Sequence, residues 1–250
     1  MSTAAEPLVL LPGMGCTPAL WSALDLPGAP VTPVLERPSL DAEVDRLLAL
    51  LPERFVLAGL SLGAIVAMAL VRRAPERVTR LALLSTNPYA PTPAQHAGWA
   101  EQRAQLAAGS PRALQESLLP LLHSPCVLER RADVVAATLA MADELGADAY
   151  DRQLRLQATR VDERPGLVRV RCPTLVLAAR GVRLCGLDRH QEIARLVPDV
   201  TLRVVENSGH LSPLEQPAVI SDHLRRWLAA APGSPPHPRP ELVEGRPPAP

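Results

Sequence analysis

Five short apolar runs, each bounded by turn or loop residues, constrain the fold of this chain more than any other feature. Leu8–Leu11 runs into Pro12-Gly13, Phe55–Ala58 into Gly59, and Leu81–Leu84 into Ser85. Leu175–Ala179 follows Pro173, and Thr201–Val205 precedes Asn207. Continuous apolar runs of this length suit strands buried on both faces, as parallel sheets require. Helical patterns lie between them. Asp41–Leu51 sets Val44, Leu47, Leu48 and Leu51 on one stripe, and Leu62–Arg73 is nearly all apolar up to Ala74-Pro75. The alternation predicts an α/β fold, a mostly parallel sheet flanked by helices on both sides. Aromatic residues are only 2% of the 250, so the core must be Leu, Val and Ala.

The rhythm breaks between Pro88 and Arg171, where no strand pattern occurs. Helical segments are expected near Ala94–Ala108, Pro111–Leu122, Glu129–Leu145 and Asp148–Ala158. This stretch, residues 88–171, is expected to be a helical cap inserted into a core made of residues 1–87 and 172–230. Such a cap would lie over the end of the sheet where ligands bind. Residues 231–250 hold eight prolines and no apolar periodicity, the composition of a disordered tail.

Charge excludes several partners. Twenty-six basic residues balance 26 acidic ones, so no field attracts a phosphate backbone or anionic lipid, and nucleic-acid binding is not expected. No apolar run approaches the roughly 18 residues of a membrane span. Met1–Pro7 has no basic residue, and the default expectation is a cytoplasmic protein. Cys16, Cys126, Cys172 and Cys185 are far apart, the pattern of scattered reduced thiols and not of a disulfide framework or zinc site. Metal-ligand spacing and phosphate loops are missing, so no cofactor and no metal is expected. The expected partner is a small-molecule substrate; oligomeric state stays open.

Gly59-Leu60-Ser61-Leu62-Gly63 matches Gly-x-Ser-x-Gly directly between an expected strand and a buried helix. A nucleophile on so tight a turn needs glycine two residues to either side, where a side chain would strike neighbouring backbone. The helix also points its N-terminus at the serine, which favours developing negative charge. Ser61 is therefore the candidate nucleophile. His210, in the loop after the last expected strand, is the candidate base. Candidate oxyanion donors are the backbone N–H groups of Leu62, directly after the serine, and Met14, in the loop after the first strand. Cys16 and Cys185 flank these loops and read as bystander thiols.

At these residues the chain resembles the α/β-hydrolase superfamily, in its branch of small cap-bearing esterases and carbon–carbon bond hydrolases. The resemblance covers about residues 6 to 230. It rests on Leu-Leu-Pro-Gly-Met-Gly at 10–15, Ala-Gly-Leu-Ser-Leu-Gly at 58–63, Arg-Ala-Pro-Glu-Arg-Val at 73–78, Cys-Pro-Thr-Leu-Val-Leu at 172–177 and Gly-His-Leu-Ser-Pro-Leu-Glu-Gln-Pro at 209–217. Pro12 stands where the family usually has histidine. The resemblance implies Ser61 as nucleophile, His210 as base, and Met14 and Leu62 as oxyanion donors.

The third triad member breaks the match. The family places an acid shortly after the penultimate strand, and Val182 occupies that position; the second location the family uses holds Ser85, with Asn87 nearby. Losing the acid costs about 10⁴-fold in well-studied triads. Three accounts stay open. In the first Asp188 serves as the acid, although capping the helical run Arg189–Leu196 is its simpler role. In the second another carboxylate, such as Glu206, Asp162 or Glu163, replaces it. Otherwise the site is a Ser–His dyad or has lost its chemistry. The sequence thus supports a serine hydrolase of a small ester, thioester or activated carbon–carbon bond, or alternatively a non-catalytic or impaired binding protein on the same scaffold.

Overall fold

The structure, a computed structural model, describes residues 6–181 and 184–230. Strands β1 (Leu8–Leu11), β2 (Phe55–Leu60), β3 (Val78–Leu84), β4 (Thr174–Ala179) and β5 (Val200–Val205) form one sheet. Its spatial order follows the chain, and every neighbouring pair is parallel. All five apolar runs became strands. β3 starts earlier than its apolar run because Val78 pairs with Phe55 and Arg80 with Val56. Arg80 is tolerated there because its guanidinium reaches the backbone carbonyls of Trp227 and Ala230.

Side chains alternate across a strand, so the apolar runs feed two cores. One face carries Val9, Leu11, Leu57, Leu81, Leu83, Val176 and Ala178. It is covered by α1 (Leu40–Leu50), α2 (Leu62–Arg73) and α8 (Leu187–Leu196). The other face carries Leu8, Leu10, Val56, Ala58, Leu175 and Leu177, packed on Trp21 and on Ile220, Leu224 and Trp227 of α10 (Pro217–Ala229). Both faces are therefore dry, as an all-parallel sheet demands.

Between β3 and β4 the described chain is wholly helix and loop: α3 (Pro93–Ala108), α4 (Pro111–Leu122), α5 (Pro125–Arg130), α6 (Ala132–Ala158) and α7 (Arg164–Leu167). α3 opens on a reciprocal capping box between Thr92 and Gln95. α6 is two helical pieces joined at Gly146, which has φ 76° and non-helical ψ. That break falls between the two helical segments expected from the sequence. Trp99, Leu106, Leu114, Tyr150 and Leu154 give these helices a small core of their own. α8 begins at Leu187 with Gly186 as its N-cap, two residues before the expected run. Asp188 consequently sits inside the first turn and does not cap, a correction to the capping expectation. The proline-rich stretch 231–250 and Val182 lie outside the described residues.

The β2–α2 junction fixes how closely sheet and helix approach. A Cβ on Gly59 would lie 2.4 Å from the Gly63 carbonyl oxygen, and one on Gly63 would lie 2.1 Å from the Leu11 carbonyl oxygen. Neither clash can be relieved by a rotamer change, because the opposing atoms are backbone. Gly63→Ala is expected to destabilise the fold by about 3 kcal/mol, near the upper end for overpacking; a lowered urea midpoint with unchanged slope would show it.

Candidate active site

Ser61 ends the turn between β2 and α2 with φ 55° and ψ −113°, a left-handed conformation that a non-glycine residue adopts only under constraint. Its backbone N–H donates to Leu84 O at 2.9 Å, and its carbonyl accepts from Ala64 and Ile65 in the first turn of α2. Both ends of the residue are therefore held, and the side chain, half-buried, lines a cavity.

Met14 and Gly13 border the same cavity, from the loop after β1. A Cβ on Gly13 would lie 3.5 Å from Ser61 Cβ, so this loop runs directly past the serine. Helix α6 secures it: Gly15 N–H donates to Gln153 Oε1 at 2.9 Å, and Thr17 Oγ1 donates to Glu144 at 3.0 Å. The N–H groups of Met14 and Leu62 have no intramolecular partner among the described residues. Unpaired amides beside a constrained serine are what an oxyanion needs.

His210 lines this cavity too. Its backbone N–H donates to Leu122 O at 2.9 Å, fastening the loop after β5 to the end of α4. The ring is almost fully buried, and its Nδ1 has no hydrogen-bond partner among the described residues. Burial first, then the neighbouring His190 and His123 rings, pushes the imidazole down to about 4. Glu215 opposes that shift without bonding the ring. The structure thus brings Ser61, His210, Met14 and Leu62 to one end of the sheet.

It does not bring the weighed carboxylates there. Asp188 is 71% exposed at its side chain and pairs with Arg189. Glu206 pairs with exposed Arg180, Asp162 with Arg164, and Glu163 with Arg72 on the far end of α2. Among the described residues none of the four bonds His210. Ser85, at the alternative acid location, is buried with φ 46° and an unpartnered hydroxyl. Cys16 and Cys185 are also buried, and burial pushes both thiols up, Cys16 to about 12.

Two buried histidines, given no role from the sequence, hold the site's loops. Thr86 N–H donates to His190 Nε2 at 3.1 Å, so that nitrogen is bare, and Nδ1–H donates to Gly186 O at 3.0 Å. Burial pushes His190 down, consistent with a neutral ring stitching the loops after β3 and β4 together. His123 lies 2.9 Å through Nδ1 from Glu215 Oε1 and 2.9 Å through Nε2 from Thr138 Oγ1. Glu215 also accepts from Gly209 N–H at 2.8 Å and from Ser124 N–H at 3.3 Å. Burial raises the Glu215 carboxyl, but these bonds outweigh it and hold the group below its usual range. Glu215 stands within the Gly209–Pro217 segment singled out from the sequence; an acid amid Pro213, Leu214 and Pro217 was the available signal. Glu215→Gln should cost about 3 kcal/mol, the upper scale for weakening hydrogen bonds to a buried charged group, measurable as a lower midpoint in urea and as poorer protection of the Gly209 amide.

The chain matches the alpha/beta hydrolase family model over residues 8–223. It is 32% identical, over 243 aligned residues, to a pimeloyl-[acyl-carrier protein] methyl ester esterase of Aromatoleum aromaticum, covering 84% of this chain and 93% of that protein. Among solved structures it resembles a thermophilic esterase from Thermogutta terrifontis with malate bound, at TM-score 0.79, 23% identity and 90% coverage of each chain. It also resembles a hydrolase from Pseudomonas aeruginosa, at TM-score 0.76, 26% identity and 92% coverage of each.

Proposed function

The chain belongs to the alpha/beta hydrolase family, and from that premise we propose that it is an esterase cleaving a small carboxylic ester through an acyl-enzyme on Ser61. The observation that carries this reading is Ser61 itself, held at positive φ and opening into the same cavity as His210. The methyl ester esterase relative favours an ester over a thioester or carbon–carbon bond. Residues 88–171 act as the cap that closes this cavity over the core formed by residues 1–87 and 172–230.

In the first half-reaction Ser61 Oγ attacks the ester carbon while His210 takes the hydroxyl proton. The carbonyl oxygen becomes an oxyanion held by the Met14 and Leu62 N–H groups, with the N-terminus of α2 behind it. Collapse breaks the bond to the alkoxy oxygen, which leaves as the alcohol carrying the proton from His210. Water, deprotonated by His210, then attacks the acyl carbon, and Ser61 recovers its proton as the acid departs. The machinery is a Ser61–His210 dyad. Asp188 is left out of it because an exposed side chain paired with Arg189 offers His210 nothing. Glu215 supports the imidazolium only through its field.

A competing reading, a binding protein that has lost turnover, draws on the buried and unpartnered Nδ1 of His210. The two separate on one variant. Wild type should hydrolyse methyl or p-nitrophenyl butyrate and take up a fluorophosphonate label on Ser61, and Ser61→Ala should lose both, with kcat/KM falling about 10³-fold or more. An unlabelled, inactive wild type would leave only the binding protein.

The pH profile follows from the buried ring. A base must be neutral, and the His210 proton is lost above about 4. Activity should therefore persist as pH falls through 6.5, the ordinary histidine value, and disappear only as it falls towards about 4. An acid limb of kcat/KM centred near neutrality would contradict this.

A further inference from the structure

The cavity contains one charge with nothing to answer it. Arg160 is only 6% exposed, yet no Asp or Glu pairs with it, and none lines the cavity among the described residues. Its hydrogen bonds go to neutral amide oxygens and are long, Nη1 to Gln157 Oε1 at 3.3 Å and Nη2 to Gln95 Oε1 at 3.2 Å. Gln95 Oε1 is shared with Thr92 N–H. Arg160 Nε–H has no partner among the described residues. The guanidinium also lies over the Trp99 ring, 5.2 Å from its centre, a contact that steadies a cation without neutralising it. Paired arginines elsewhere, such as Arg72 with Glu163 or Arg103 with Asp151, have a carboxylate within 3 Å.

The same cavity holds one more unmet donor. Gln115 is buried, its Oε1 accepts from Tyr150 Oη at 2.6 Å, and its Nε2 has no partner among the described residues. Gln102 also lines the cavity, and its buried Oε1, an acceptor, has no partner among the described residues. A desolvated guanidinium without a carboxylate is strongly disfavoured unless an anion completes it. Apolar side chains, Leu118, Leu122 and Leu211 among them, line the same cavity.

We propose that Arg160 is the recognition site for a carboxylate at the far end of the substrate, so that the preferred ester is a half-ester of a dicarboxylic acid. This rests on the esterase reading, and it adds the substrate class that reading leaves open. A carboxylate matches one guanidinium in charge and in planar fork geometry. A phosphate monoester, nearer two negative charges at neutral pH, would leave a net buried anion. An uncharged ester that lacks only this carboxylate would leave the Arg160 donors unmet, and sites built on buried donors reject such analogues strongly.

The test compares monomethyl adipate with methyl pentanoate, followed by acid release, in wild type, Arg160→Gln and Arg160→Lys. Wild type should favour the half-ester in kcat/KM by about tenfold or more, and Arg160→Gln should erase that preference mainly through KM, with Arg160→Lys intermediate. Separately, adipate should raise the Tm of Ser61→Ala and not that of Ser61→Ala combined with Arg160→Gln, with inorganic phosphate as the comparison anion. Equal use of both esters by wild type, or a preference untouched in Arg160→Gln, would overturn the proposal, as would stabilisation by phosphate and not adipate. Adipate binding through Arg160 with neither ester cleaved would uphold the anion site and sink the esterase reading. Cleavage of methyl pentanoate with no response to adipate would do the reverse.

Discussion

The close approach of helix α2 to the sheet is the constraint on which the rest of the site depends. Gly63 lies against the backbone of Leu11 and Pro12, and Gly59 against the backbone of Gly63, with no room for a single carbon at either place. That contact forces Ser61 out of the usual backbone regions and into the open. The same contact draws the loop after β1 alongside the serine, so its amides and that of Leu62 share one small volume. A looser junction would separate nucleophile and donors, and electrostatic stabilisation of an oxyanion depends on such preorganisation.

Buried charge is distributed unevenly around this junction. Glu215 is answered by His123 and two backbone amides, which suits a role in bracing the loop of His210. His210 is desolvated and lacks a carboxylate on Nδ1, so its imidazolium is costly. Arg160 is desolvated and has no carboxylate partner among the described residues. A carboxylate entering the cavity would therefore serve the Arg160 end directly.

Much of the fold was legible because parallel strands buried on both faces leave a simple trace. Leu8–Leu11 and Leu62–Arg73 emerged with the bounds read from the sequence, since apolar runs there end in Pro-Gly and Ala-Pro. β3 was read short because Thr79 and Arg80 interrupt the apolar run, although their backbone still pairs. Asp188 was misplaced by the two residues that Gly186 adds to the start of α8. In the site, Ser61 announced itself through local spacing. His123, His190 and Arg160 could not, because what distinguishes them is a partner about 92 or 104 positions away, or the lack of one. Nothing within ten residues of Arg160 records that no acid faces it.

The stitches between the helices preceding β4 and the sheet have a mechanical consequence. Gly15 to Gln153, Thr17 to Glu144, Leu40 to Thr159, Arg72 to Glu163 and the His123–Glu215 pair join the two at widely separated points. A hinged flap would need most of these to break together. Traffic to Ser61 is thus left to local breathing of side chains at the mouth, and slow hydrogen exchange in α6 should track global unfolding, with no separate opening step.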